Sequence, residues 1–151
     1  MIYMESESRR ALQKLEEWLA SNMLVLNYNK TMQIPFRTAR EAVLDTRDGN
    51  IGSANEAKVL GVVLDSELSW RPHLDQLKSK LNSAVFVLRT VKKLLDAGTL
   101  RSVYFAVFHS LLSYGVIFWG NSTHAIHIFR IQKWAVRVMV VEQVQLGVSQ
   151  L

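Results

Sequence analysis

The chain has 151 residues, 49% of them hydrophobic and 21% charged, and no cysteine. That length and apolar content suit one domain or part of one, burying roughly two-thirds of its unfolded surface, and exclude disorder over most of it. The missing cysteines exclude a disulfide framework and a thiolate metal site. The formal charge of +5 signals a polyanion partner only if the basic residues cluster; scattered, they are a solvated surface.

The opening MIYMESESRR lacks the apolar core of a secretory signal, so an intracellular protein is expected. From Glu5 to Ser21, acidic residues in the first turns and an apolar face of Ala11, Leu12, Leu15, Trp18 and Leu19 predict an amphipathic helix, with Asn22 as its stop. Two short strands are expected next, Met23 to Asn27 and Met32 to Phe36, joined by Tyr28, Asn29, Lys30 and Thr31 with the lysine at the tip. Pro35 places the second at a sheet edge. A third strand, Ala42 to Asp45, leads into Asp48-Gly49, a dipeptide suited to a hairpin, whose returning strand would be Lys58 to Leu64.

The densest pattern lies from Val59 to Leu95. An apolar strand passes a turn at Asp65 and Ser66 and enters a helix near Ser69, a good N-cap, with Pro72 in the first turn. Leu74, Leu77, Leu81, Ala84, Leu88, Val91 and Leu95 then recur at steps of three and four, the spacing of one buried stripe. Arg71, Lys78, Arg89 and Lys93, with Asn82 in line, gather on a neighbouring face. The helix carries six basic residues against Asp75 alone, so the basic character of the chain is localised here.

Asp96, Ala97 and Gly98 should end that helix, and Thr99 should cap another running to about Trp119. This one is apolar on nearly all sides and matches the length of a membrane span, yet His109, Ser110 and Ser113 interrupt it, and a buried central helix has the same composition. After the break at Gly120 to Thr123, a last helix from about Thr123 to Val141 sets Arg130, Lys133 and Arg137 on the face opposite Ile131, Ala135 and Val138. Residues 142–151 have no clear period and are expected to fray.

Candidate chemistry is sparse. Asp65 and Glu67 alternate at a strand end in the manner of a Mg²⁺ pair, but read better as turn and helix-entry residues. His124 and His127 lack a third ligand for zinc, and His109 suits a hydrogen-bonded core position. No glycine-rich phosphate loop or nucleophile triad can be assembled. Asn121-Ser122-Thr123 fits a glycosylation acceptor and, equally, a helix cap. Lys30 either presents its ammonium to a phosphate or is simply solvated.

Several blocks are familiar as a set. Leu15-Glu16-Glu17-Trp18-Leu19 followed by Asn22 through Thr31 resembles the pattern after the catalytic strand in reverse transcriptases of non-LTR retrotransposons. Val59-Leu60-Gly61-Val62-Val63-Leu64-Asp65, with Leu68, Trp70 and His73, resembles the passage from palm to thumb in that family. Ser113-Tyr114-Gly115 through Trp119-Gly120, and Ile131-Gln132-Lys133 with Ala135 and Arg137, resemble its later helical blocks, so that the match runs in order from about Ala11 to Met139.

The resemblance implies that Lys30 is the accessory lysine near the incoming nucleotide, that Leu60 and Gly61 approach the primer end, and that the Leu74 helix tracks the primer–template backbone through phosphates, consistent with its basic ridge. The metal-binding aspartates of the family have no counterpart here, so Mg²⁺ belongs to the complete enzyme, this chain holds no metal or cofactor, and it is expected to be inactive alone as an RNA-directed DNA polymerase.

The expected fold is α+β and mostly helical: a palm-edge remnant of helix and small antiparallel sheet at 1–66, a thumb-like three-helix region at 67–141, and the tail at 142–151. The expected partner is an RNA/DNA hybrid or duplex, held by Arg71, Lys78, Asn82, Arg89, Lys93, Arg130, Lys133 and Arg137. The alternative is an inert or protein-interaction module from a truncated element, its edge open to missing palm strands or another protein; a membrane protein is disfavoured.

Overall fold

A computed structural model describes residues 2–36 and 51–148, and the chain is α+β and mostly helical. Backbone contacts divide it into two units, Met1–Leu60 with Leu64–Leu68, and Gly61–Val63 with Ser69–Leu151.

In the first unit, helix α1 spans Ile2–Ser21. It stops where predicted, but the left-handed residue is Met23 (φ 57°), while the Asn22 side chain donates to the Trp18 carbonyl instead. Leu12 and Leu19 are half-buried, whereas Leu15 and Trp18 remain exposed. Residues 23–27 do not form the expected strand: β-type residues need a partner ladder, and here Asn27 caps a 3₁₀ turn at Tyr28–Lys30 through its side-chain oxygen. The Tyr28 hydroxyl donates to the Glu16 carboxylate, which ties this turn to α1 and holds the phenol above its ordinary pKa.

The second expected strand shrinks to β1, Met32–Gln33, which pairs in parallel with β2, Gly52–Ser53. The expected strand at 42–45 and its Asp48-Gly49 turn lie outside the described residues.

The run expected as one strand from Lys58 to Leu64 is instead a hairpin of β3, Glu56–Val59, and β4, Val62–Asp65. Its two-residue turn is Leu60-Gly61, with φ of 48° and 85°. Two positive φ values match the right-handed twist of paired strands, so the chain reverses here although leucine is a poor turn former. Gly61 supplies the freedom that the second position needs.

In the second unit, helix α2 spans Arg71–Val91, with Pro72 in its first turn. It starts two residues past the predicted cap, because Trp70 takes the left-handed conformation (φ 63°) and the Ser69 hydroxyl accepts from the Arg71 amide. The predicted stripe is the core: Leu74, Leu77, Leu81, Ala84 and Leu88 are buried, Val91 and Leu95 pack against them, and Val85 joins them.

Asp96 opens the next helix rather than ending the last. Its carboxylate accepts from the Gly98 and Thr99 amides and the Thr99 hydroxyl, displacing Thr99 as cap. Those bonds, the Thr99 hydroxyl first, hold the carboxyl below its ordinary pKa.

The long helix expected from Thr99 to Trp119 is broken into α3 (Ala97–Val103), a π-helical turn (Tyr104–His109), α4 (Ser110–Ser113) and α5 (Val116–Trp119). The π turn lets Tyr104 and Phe108 stack, centroids 5.4 Å apart, inside the core. The break before α5 falls at Gly115 (φ 65°), and the Tyr114 carbonyl freed there accepts from the indole of fully buried Trp119 at 3.2 Å. Among the described residues no helix is long and apolar enough to cross a membrane.

Helix α6 spans Ala125–Val148, past the expected end at Val141. Ala125, Ile128, Ala135 and Val138 bury its inner face in the core shared with α2 and with the segment from α3 to α5.

Candidate nucleic-acid interface

Burial of the stripe decides where the charges go. On a helix of 3.6 residues per turn, Arg71, Lys78, Asn82, Arg89 and Lys93 fall within about 60° of one another, roughly a quarter turn from the buried stripe. All five side chains are exposed, Lys93 from the turn that follows α2. A 21-residue helix makes this ridge about 30 Å long.

Arg130, Lys133 and Arg137 are exposed on α6, away from its buried face. One cation of the α2 ridge reaches α6: the Arg89 guanidinium lies 4.3 Å from the centre of the Trp134 ring. Arg130 and Arg137 stand four residues before and three after Trp134, hence on the same side of α6. The cation–π contact restrains the Arg89 guanidinium over the ring face.

Near the start of both helices lies a groove of about 300 Å³, lined by Arg71, Leu74, Asp75 and Lys78 from α2, by His127 and Ile128 from α6 and by His124 from the turn just before α6. Sequence reasoning passed over Trp134 and set the two histidines aside as an incomplete zinc pair. Wheel positions flanking Arg130 and Arg137 carried the signal for Trp134; for the histidines, only the packing of α6 on α2 reveals their neighbours.

The remaining candidates are not gathered into this seam. Lys30 is exposed in the 3₁₀ turn of the first unit, its amide bonded to Asn27. Leu60 and Gly61 form the hairpin turn rather than a strand, Leu60 exposed and Gly61 close to the Tyr114 ring, which a Cβ at that glycine would meet at 3.6 Å. Asp65 ends β4 and Glu67 follows in the turn. Among the described residues no three His, Cys, Asp or Glu side chains are grouped as metal ligands.

His73, named in the sequence only as part of the resemblance, has a buried role that the sequence did not reveal. It is 7% exposed, its Nδ1 accepts from the Val63 amide at 3.4 Å, and its ring lies 6.4 Å from that of Trp119. The wheel does place it in line with Ala84 and Val91, on the edge of the core stripe. Burial, with Lys80 adding to it, lowers its pKa.

No protein-family model, curated protein or solved structure matches the chain.

Proposed function

We propose that the second unit binds the sugar–phosphate backbone of a nucleic-acid duplex, an RNA/DNA hybrid or related helix, along the cationic seam of α2 and α6. The observation that carries the reading is the exposed ridge of Arg71, Lys78 and Arg89 on α2, continued by Lys93 in the turn after it, beside a buried stripe. Phosphate contacts need charge at regular spacing and no particular base, and that is what such a ridge supplies. The sequence resemblance to the thumb of non-LTR reverse transcriptases supports the same partner, with Asn82, Arg130, Lys133 and Arg137 as further contacts. Under it Lys30 is an accessory lysine and Leu60-Gly61 a primer-end element. Catalysis is no part of the proposal.

The test is equilibrium binding of a fluorescent RNA/DNA hybrid to the full chain and to the variant with Arg71, Lys78, Arg89 and Lys93 all replaced by Gln. Binding should weaken by at least about a hundredfold at low salt, with little dependence on hybrid sequence. Equal affinity of the two proteins would exclude the seam as the contact.

A second reading, a protein-interaction module, is favoured by apolar side chains left in solvent: Phe86, Leu94 and Ile117 are 71%, 82% and 84% exposed. Light scattering separates the two, since that module self-associates or recruits a protein partner, whereas a duplex binder of this kind is a monodisperse monomer.

A further inference from the structure

We propose that the groove at the start of α2 and α6 is a discrete site for one phosphate group, held by Arg71 and Lys78 from α2, by His127 from α6 and by His124 from the turn that leads into α6. The assignment rests on the backbone-binding reading for the source of the phosphate, and on the groove alone for its chemistry.

The groove has a fixed floor: Leu74 and Ile128 are 4% and 1% exposed and belong to the core. Its walls are the side chains of Arg71, Asp75, Lys78, His124 and His127. Arg71 and Lys78 are two helical turns apart, roughly 10 Å along the axis, which leaves room for an anion between long side chains that reach inward from each end. Each brings N–H donors and no acceptor, and a neutral imidazole adds one N–H donor and gains another on protonation.

Asp75 is the single anionic group on these walls. Two fixed cations outnumber it, and its carboxylate can accept an imidazole N–H or a ligand hydroxyl, which would orient the donors rather than compete with the anion. The groove lies at the N-terminal ends of both long helices, whose aligned peptide dipoles add to the same sign of potential. A volume near 300 Å³ admits a phosphate with one attached sugar and little more. The same side chains do not suit a divalent cation: Arg71 and Lys78 repel it, and no three-ligand group is present among the described residues.

Inorganic phosphate is the direct probe, titrated into the full chain at constant ionic strength set by sodium chloride, with the histidine ring protons followed by NMR. The His124 and His127 rings should shift and saturate while that of buried His73 stays still. Arg71→Gln and Lys78→Gln, both exposed and therefore well folded by circular dichroism, should each weaken phosphate about tenfold. RNA/DNA hybrids with a 5′-phosphate or a 5′-hydroxyl then identify the source. Displacement of phosphate by the phosphorylated hybrid alone marks a strand end, by both an internal phosphodiester, and by neither a free phosphate ion.

Shifts that do not saturate, that chloride reproduces, or that survive both substitutions would overturn the site. If hybrid binding persists in that case, the backbone reading stands without it. If phosphate saturates the groove in a chain that binds no hybrid, the groove stands and the backbone reading falls.

Discussion

His73 shows how one side chain can couple a hairpin strand to a helix. With Nδ1 accepting from the Val63 amide, the neutral ring is the form that fits; protonation would set a donor against a donor and leave a charge among Trp119 and the α2 core. The folded-state pKa is lowered from 6.5, so below that pH the unfolded chain takes up a proton that the folded chain refuses. Stability contributed by neutral His73 is therefore fully present above pH 6.5 and is lost as pH falls from there toward the lowered folded value. Thermal melts across that window should show a fall in melting temperature that His73→Gln flattens; parallel curves for the two proteins would refute the assignment. At the centre of the stripe, Leu81 is fully buried, and Leu81→Ala should cost about 2–5 kcal/mol in denaturant unfolding. Leu81 was legible from periodicity alone. The burial and bonding of His73 were not, because a histidine among leucines gives no period of its own, and its partner is a backbone amide ten positions earlier.

Whole elements were readable where one local rule decided them. Helix α2 follows from its apolar spacing and Pro72, and α1 stops within a residue of its predicted end. The segment from Ala97 to Trp119 was not readable as written, because its composition fits an unbroken helix and the breaks depend on tertiary fit. Gly115 is the hinge of that misreading: φ of 65° favours glycine, and an added Cβ would lie 3.4 Å from the Val62 side chain. Gly115→Ala should destabilise the chain by about 1–2 kcal/mol, measured by urea unfolding; an unchanged midpoint would mean that the turn before α5 does not need the left-handed conformation. The hairpin turn was missed for the opposite reason. Leu60 at φ 48° is an unusual choice for such a turn, so Leu60→Asn should raise the melting temperature, and a lower one would show that the leucine side chain contributes more than the turn geometry takes away.

For the molecule, the mostly helical α+β class and the outward basic ridge of α2 were both visible in the sequence, since amphipathicity fixes which residues face out. The contact of Arg89 on α2 with Trp134 on α6 was not, because it depends on how the two helices pack. That seam is what the account depends on. Its most direct test is the salt dependence of hybrid binding by the full chain. Four phosphate contacts through Arg71, Lys78, Arg89 and Lys93 give a slope of roughly −3 to −4 in log K against log salt, and the variant with all four replaced by Gln should lose most of it. A slope near zero in the unmodified chain, or the same slope in both proteins, would contradict the account.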